Sequence, residues 1–594
     1  MSSAIKTSNP PWPATEGVFA PGHLGELTAL VPFELVDAVL HETRKVQRRL
    51  RCLPSRVGVY FPLAMCLFPE IGYQLVWQKL TASLTALPVV MPTAKALRDL
   101  RRRVGTAPMR RLFEVLCGPL AQPSTPGVRF GPYRTVSFDG CSSLKAPDTA
   151  RNRAWLGSPS RGGHPQLELM TLIETGTRAL IGAIFGPTSE GETGYARRLP
   201  HLLTPDMLVL WDKGFDNNAF LTQVSATGAQ ALGRLRSNRR TPVLTLLADG
   251  SYLSTIGTLQ IRIVEARITV TCADGTTFTG SYRLVTTLTD AARYPAAALV
   301  ALYHQRWEHE SAYYALRHTI MQGRVLRSGD PAGLEQEMWS MLTLYQLLRT
   351  VMVDAAESRP GTDPDRCGFS IALHTARDLI VRAAGITSCG IALVGAIGRR
   401  VLANLLPPRR LRVSTRKVKS PISRYNDRLD DGRPDRSRPV TALSIAILTA
   451  PPSQAPPSRG IPRRPAHRTD RPPQTTGFGP APARSQSLLA APRYRPPPGR
   501  HHPRHHVPAA LTMGRKRTHS QDRFRPLHRH DALADSLAKA AKTLTTWPWA
   551  NSSRKGGEGH ARYLDNDRPA GKSRQAIIEP IWRFTMVSTR HLIG

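Results

Sequence analysis

The chain is 594 residues long and 41% hydrophobic, and its 81 Lys and Arg against 43 Asp and Glu give a formal charge of +38. That length allows two or more domains with proper cores, and so large a positive charge exceeds what solubility needs and points to a polyanionic partner, nucleic acid being the simplest. The absence of a long apolar run and of a basic-then-apolar leader argues against a membrane partner and for a cytoplasmic protein, while seven scattered cysteines without a CxxC pair argue against both a disulfide framework and a zinc site.

Residues 1–21 are polar and Pro-rich and read as a flexible arm. From 22 to 122 the pattern is helical and basic, as in VPFELVDAVLHETRKVQRRLR and PTAKALRDLRRRVGTAPMRRLFEVL. In the second stretch two short helices flank Gly105, and the first carries Arg98, Arg101 and Arg102. This layout suits a helical DNA-binding domain, or equally a bundle with a solvated basic face. Residues 130–405 then read as an α/β domain. YRTVSFDG predicts a strand ending in Asp139, QLELMTLIET and RALIGAIFG a hairpin around Thr175 and Gly176, and MLVLWDKG a buried strand ending in Asp212. Two acids thus fall at strand ends, where α/β folds place their chemistry. Residues 229–290 alternate like strands again and read as an inserted β-subdomain. Residues 406–594 read as a basic, Pro/Arg-rich, largely disordered tail; beyond 450 it holds 26 Lys and Arg against 8 Asp and Glu, and 20 of the 51 prolines, a composition that cannot bury a core.

The stretch from Pro295 to about 320 has no internal Pro or Gly and predicts one helix. At about 100° per residue, Tyr303, Arg306, Glu310 and Arg317 share one narrow face, and Glu308 points away as an ordinary surface residue. Three carboxylates from separate elements, Asp139, Asp212 and Glu310, are what a two-metal phosphoryl-transfer site needs: Mg²⁺ prefers a few carboxylate oxygens plus water and phosphate. The Arg and Tyr of the Glu310 face would hold the scissile strand by its phosphates.

These residues carry a resemblance. SFDG around Asp139, DKGF from Asp212 to Phe215, and the Y-x2-R-x3-E spacing of Tyr303, Arg306 and Glu310 resemble the signature of DDE transposases of the insertion-element-four type, with Arg317 standing where the family pattern has Lys. The resemblance covers about residues 20–405. It implies an RNase H-like catalytic core with an inserted β-subdomain behind a helical N-terminal domain, and Mg²⁺, with Mn²⁺ able to substitute, held by Asp139, Asp212 and Glu310. The implied activity is cleavage at the ends of a mobile DNA element and joining of those ends to target DNA. It further implies double-stranded DNA partners, namely terminal inverted repeats and target, a homodimer in the DNA complex, and a cytoplasmic, nucleoid-associated location. Tyr303, Arg306 and Arg317 would contact terminal phosphates, and Trp307 could receive a flipped base. A stand-alone RNase H-like nuclease or resolvase, and a degenerate DNA-binding copy, are the alternative readings.

Overall fold

In the computed structural model the described residues are 21–49, 51–84, 88–158, 163–386, 394–407, 412–413 and 438–449. The expected N-terminal arm, except residue 21, and everything beyond 449 lie outside them. Five α-helices come first: α1 (Phe33–Glu42), α2 (Val57–Leu67), α3 (Tyr73–Thr81), α4 (Ala94–Val104) and α5 (Ala107–Leu116). Thr93 caps α4 by accepting from the backbone N–H of Ala96, and Gly105 stops it at a φ of 73°. The first helix is shorter than the sequence predicts. Arg44 turns left-handed at φ 57°, and the basic run that follows leaves the helix.

The sheet region begins with β1 (Arg129–Phe130) and β2 (Tyr133–Lys145), then α6 (Ala150–Leu156), β3 (Gln166–Glu174), β4 (Leu180–Pro187), α7 (Gly191–Ala196), β5 (Met207–Trp211), α8 (Asn218–Ala226) and β6 (Gln230–Arg234). A ribbon follows: β7 (Thr245–Leu246), β8 (Tyr252–Ile256), β9 (Leu259–Cys272) and β10 (Thr277–Thr286). After it come α9 (Ala296–Tyr303), a 3-10 turn (His304–Trp307), α10 (Glu308–Tyr314), a π turn (Ala315–Ile320), α11 (Pro331–Glu357), α12 (Phe369–Val381), α13 (Ala396–Ala403), β11 (Arg412–Val413) and β12 (Arg438–Ile447).

Hydrogen bonding orders the strands β11-β12-β9-β10-β6-β5-β2-β3-β4. β2, β3 and β4 are antiparallel neighbours, whereas β5 lies parallel to both β2 and β6. Parallel neighbours need crossovers on the faces of the sheet, and α7 and α8 supply them; β5 is accordingly buried at every position. One face of the sheet packs on a core shared by α1–α5, α10–α13 and the inward side of β3. The other covers Phe138, Met170, Leu172 and Trp211 with residues of α7 and α8. The N-terminal helices therefore do not stand apart from the sheet region: α2 and α5 pack directly on α11, which is buried along most of its length.

Four expectations need correction. β2 continues past Asp139 to Lys145 because its second half keeps pairing with β3, so Asp139 is a mid-strand residue. β6 belongs to the central sheet, so the inserted ribbon begins after Arg234 rather than at 229, and β10 joins it to the same sheet through β6. The expected tail contains a strand: β12 pairs antiparallel with β9, and Val440, Leu443, Ile445 and Ile447 pack on the apolar cluster under α9. Finally, the helix of 295–320 is four pieces, two α-helical, one 3-10 and one π, with consequences for the site.

Candidate active site

The 3-10 turn tightens the winding to three residues per turn, which eclipses side chains at i and i+3. Tyr303 and Arg306 are such a pair, and the Arg306 guanidinium carbon lies 6.0 Å from the Tyr303 ring centroid and 5.0 Å from that of Trp307. The turn aims Arg306 at β2, where its Nη1 stands 3.7 Å from Asp139 Oδ2. Arg306 is only 7% exposed, and its Nε has no hydrogen-bond partner among the described residues.

α10 is fixed to the sheet by the residue before Glu310. The His309 ring is fully buried, with Nδ1 2.8 Å from Ser137 Oγ on β2 and Nε2 2.6 Å from Thr171 Oγ1 on β3. One turn on, the Tyr313 hydroxyl donates to the backbone carbonyl of Asp139 at 2.6 Å and accepts from Thr171 Oγ1 at 3.0 Å. Burial holds His309 neutral, well below the usual histidine range, and Tyr313 protonated, well above the usual tyrosine range. Two uncharged side chains at i and i+4 thus set the position of Glu310 relative to Asp139. Asp212 follows β5 directly and caps the short turn of DKGF by accepting from the backbone N–H of Gly214.

The electrostatics show that these acids share one environment. Burial above all raises the Asp139 carboxyl, against the pull of Arg306 and together with the push of Glu310, Asp212 and Glu192, to about 7. Burial works against the charge of Arg306, yet Tyr303, Asp139, Asp212 and Glu310 together hold its pKa above the ordinary arginine value. Burial also raises the Tyr303 hydroxyl, and the Tyr303 ring sits edge-on to Tyr282 at 5.8 Å. The donors here are carboxylate oxygens, and both nitrogens of His309 are already engaged, so the set suits a hard divalent cation rather than zinc. As the side chains stand, no three Asp, Glu, His or Cys among the described residues converge closely enough to hold an ion; the guanidinium of Arg306 is the cation beside Asp139.

Of the residues singled out in the sequence, Asp139, Asp212, Glu310, Tyr303, Arg306 and Trp307 come together. Arg317 lies further along, in the π turn that follows α10. It is half-exposed, and the charges acting most strongly on Asp139 and Arg306 do not include it. Glu308 points away from Asp139 as expected, but not into solvent: it pairs with Arg178, which also holds Asp365. In α4, Arg98 and Arg102 are exposed, whereas Arg101 is 6% exposed and committed to protein. It donates to Gln336 Oε1 at 2.8 Å, to Ser328 Oγ and the Gly333 carbonyl at 3.1 Å each, and to the Tyr73 hydroxyl. Arg101 therefore ties α4 to α11 and is withdrawn from the expected DNA-binding set. The sequence reading missed His309 and Tyr313; their i, i+4 spacing, flanking Glu310, was the available signal.

Acids on β2, just after β5 and on α10 thus act together on one buried arginine, within a stretch that matches a known protein family. Residues 132–347 match the family of the transposase DDE domain, and residues 21–114 match that of the insertion element 4 transposase N-terminal region. The chain belongs to the insertion-element-four type of DDE transposase and is a transposase. It is 28% identical over 354 residues to the transposase InsG for insertion sequence element IS4 of Escherichia coli (strain K12), a match spanning 57% of this chain and 78% of that protein. Among solved structures, a cryo-EM structure of the piggyBac transposase synaptic complex with hairpin DNA aligns over 68% of this chain and 87% of its own, at 10% identity and a TM-score of 0.32. DDE transposases use divalent metal. Among the described residues no helix is long and apolar enough to cross a membrane.

Proposed function

We propose that this transposase cleaves double-stranded DNA at the terminal inverted repeats of a mobile element and joins the freed 3′ ends to target DNA, with Asp139, Asp212 and Glu310 as its catalytic acids. The observation that carries this reading is the buried, incompletely bonded guanidinium of Arg306 beside Asp139, on which the charges of Asp212 and Glu310, from two other elements, also act. The strand order β4-β3-β2-β5-β6, with β2, β5 and β6 parallel, supports an RNase H-like core. Mg²⁺, with Mn²⁺ as a substitute, is the cation the three carboxylates would hold. When bound, it supplies a nucleophile of lowered pKa and charge stabilisation for the leaving 3′-oxygen.

The chain's own residues do the rest. His309 and Tyr313 hold Glu310 and Asp139 in register. Arg306, charged at any accessible pH, exchanges Asp139 for a DNA phosphate, which returns the Asp139 carboxylate to metal binding. Trp307 offers an aromatic face for a base freed from the stack. Arg317, half-exposed further along, takes a more distant phosphate, and Arg98 and Arg102 contribute sequence-independent attraction to the duplex. The enzyme acts as a homodimer on paired ends, in the cytoplasm and at the nucleoid. Incubating the purified protein with labelled element-end DNA and Mg²⁺ tests the reading: nicking at the element boundary followed by strand transfer supports a transposase, and nicking without transfer supports a nuclease or resolvase.

A further inference from the structure

Tyr303 ends α9 and Arg306 follows it directly, so the aim of both depends on how α9 is seated. It lies on β6, β9 and β12. β9 is paired along one edge by β10 and along the other by β8, up to Ile263, and then by β12, from Ala266 to Cys272. The register sets Val440, Leu443, Ile445 and Ile447 of β12 opposite Cys272, Val270, Ile268 and Ala266, which are the side chains of β9 that line the apolar cluster under α9. Same-face neighbours on adjacent strands pack against each other, and on β10 the row of Ile447 and Ala266 continues to Tyr282. The Tyr282 ring meets Tyr303 edge-on at 5.8 Å and His304 at 5.5 Å.

The far end of β12 reaches the other end of α9. The backbone N–H of Leu448 donates to the Glu265 carbonyl at 2.8 Å, and a Cβ on Gly250 would stand 2.8 Å from Thr449 Cγ2 and 3.2 Å from Ile447 Cγ2. Gly250 belongs to the turn whose Asp249 accepts from the backbone N–H of Ala296, the first residue of α9, and pairs with the fully buried Arg262. β12 therefore touches the turn that caps α9 and the row that ends at Tyr303. Its apolar side chains join the cluster under α9 and neither of the other two cores, so its loss acts on α9 before it acts on the rest of the fold.

We propose that β12 is a positioning strand of the active site: docked on β9, it holds α9 and Tyr282 against Tyr303 and so sets the aim of Arg306, and the ribbon accepts the same segment, residues 438–449, in trans. This rests on the role proposed for Arg306 at the DNA phosphates. In the full chain, Leu443→Asp with Ile445→Asp puts two charges into the apolar cluster and should free the strand. Nicking of element-end DNA per folded molecule should then fall by about 10- to 100-fold, the scale of a small misplacement of an active-site group. A synthetic peptide of residues 438–449 should bind this variant, but not the wild type, whose edge is taken, and should restore nicking; the peptide carrying both Asp residues should do neither. Ala442→Asp with Ala446→Asp, on the exposed face of the strand, should nick like the wild type. The milder Ile447→Ala, at the head of the Tyr282 row, should lower nicking in the same direction at an unchanged fold. In an Arg306→Ala background the freed strand should weaken end-DNA binding no further, because the group it positions is gone. Wild-type nicking in both β12 variants, alongside lost nicking in Arg306→Ala, overturns the role of β12 and leaves that of Arg306 standing, as does a peptide that restores the melting temperature without restoring nicking. Wild-type nicking in Arg306→Ala overturns the role of Arg306 and the positioning strand with it.

Discussion

Glu308 and Glu310 are two residues apart, and replacing each with Gln should do opposite things. Glu308 is 14% exposed and pairs with Arg178, itself 6% exposed, whose second partner is Asp365. Its charge also supports Arg349, a buried arginine that Arg178 repels. Breaking a buried ion pair by removing one partner costs about 3–5 kcal/mol. Asp365 remains on Arg178 and offsets part of this, so Glu308→Gln should cost about 2–4 kcal/mol, well above the roughly 0.5 kcal/mol of a surface substitution. Urea unfolding of the purified variant measures the loss, while DNA nicking per folded molecule should stay at the wild-type level. An Arg178→Met, Glu308→Gln cycle should return a coupling of about 0.5–3 kcal/mol. A Glu308→Gln variant within about 0.5 kcal/mol of the wild type would refute the ion-pair assignment and restore Glu308 to the surface.

The remaining expectations concern the DNA-binding charges, the C-terminal region and pH. Arg101→Ala should destabilise by about 3 kcal/mol or more, because several buried acceptors lose their donor, and should leave the salt dependence of DNA binding unchanged; Arg98→Ala or Arg102→Ala should do the reverse, each lowering the slope of log K against log[salt] by about 1 if it meets a phosphate. Ending the chain after residue 449 should preserve the melting temperature and weaken nonspecific DNA binding at low salt, whereas ending it before 438 should lower the melting temperature by removing β12 from β9. For pH, Asp139 and Glu168 are both raised to about 7, chiefly by burial. The folded protein keeps these protons after the unfolded chain has released them, so the stability of the metal-free protein should fall as pH rises from about 4 to about 7; Asp139→Asn should flatten that fall, and an equally steep fall in the variant would remove Asp139 from the cause.

What could be read from the sequence was what sits at short, fixed spacing. Asp139 in SFDG, Asp212 in DKGF, and Tyr303, Arg306 and Glu310 at steps of three and four are local patterns, and the structure brings them together. The break at His304 left no sign, because neither Pro nor Gly marks it; it accompanies long-range contacts, the packing of His304 on Tyr282 and the reach of Arg306 to Asp139. Arg101 and Glu308 looked like surface charges because their partners, Gln336 and Arg178, are far away in sequence. The alternation of TALSIAI in β12 was visible but lay among residues whose composition suggested a tail.

The most direct test of the three-acid site is Glu310→Gln, assayed on labelled element-end DNA with Mg²⁺ or Mn²⁺. The substitution keeps the shape of the side chain and removes a carboxylate oxygen as ligand. End binding should persist, since losing a negative charge does not weaken attraction to phosphate, while nicking and strand transfer should both disappear. Wild-type cleavage by Glu310→Gln would contradict the assignment of Asp139, Asp212 and Glu310 as the catalytic set.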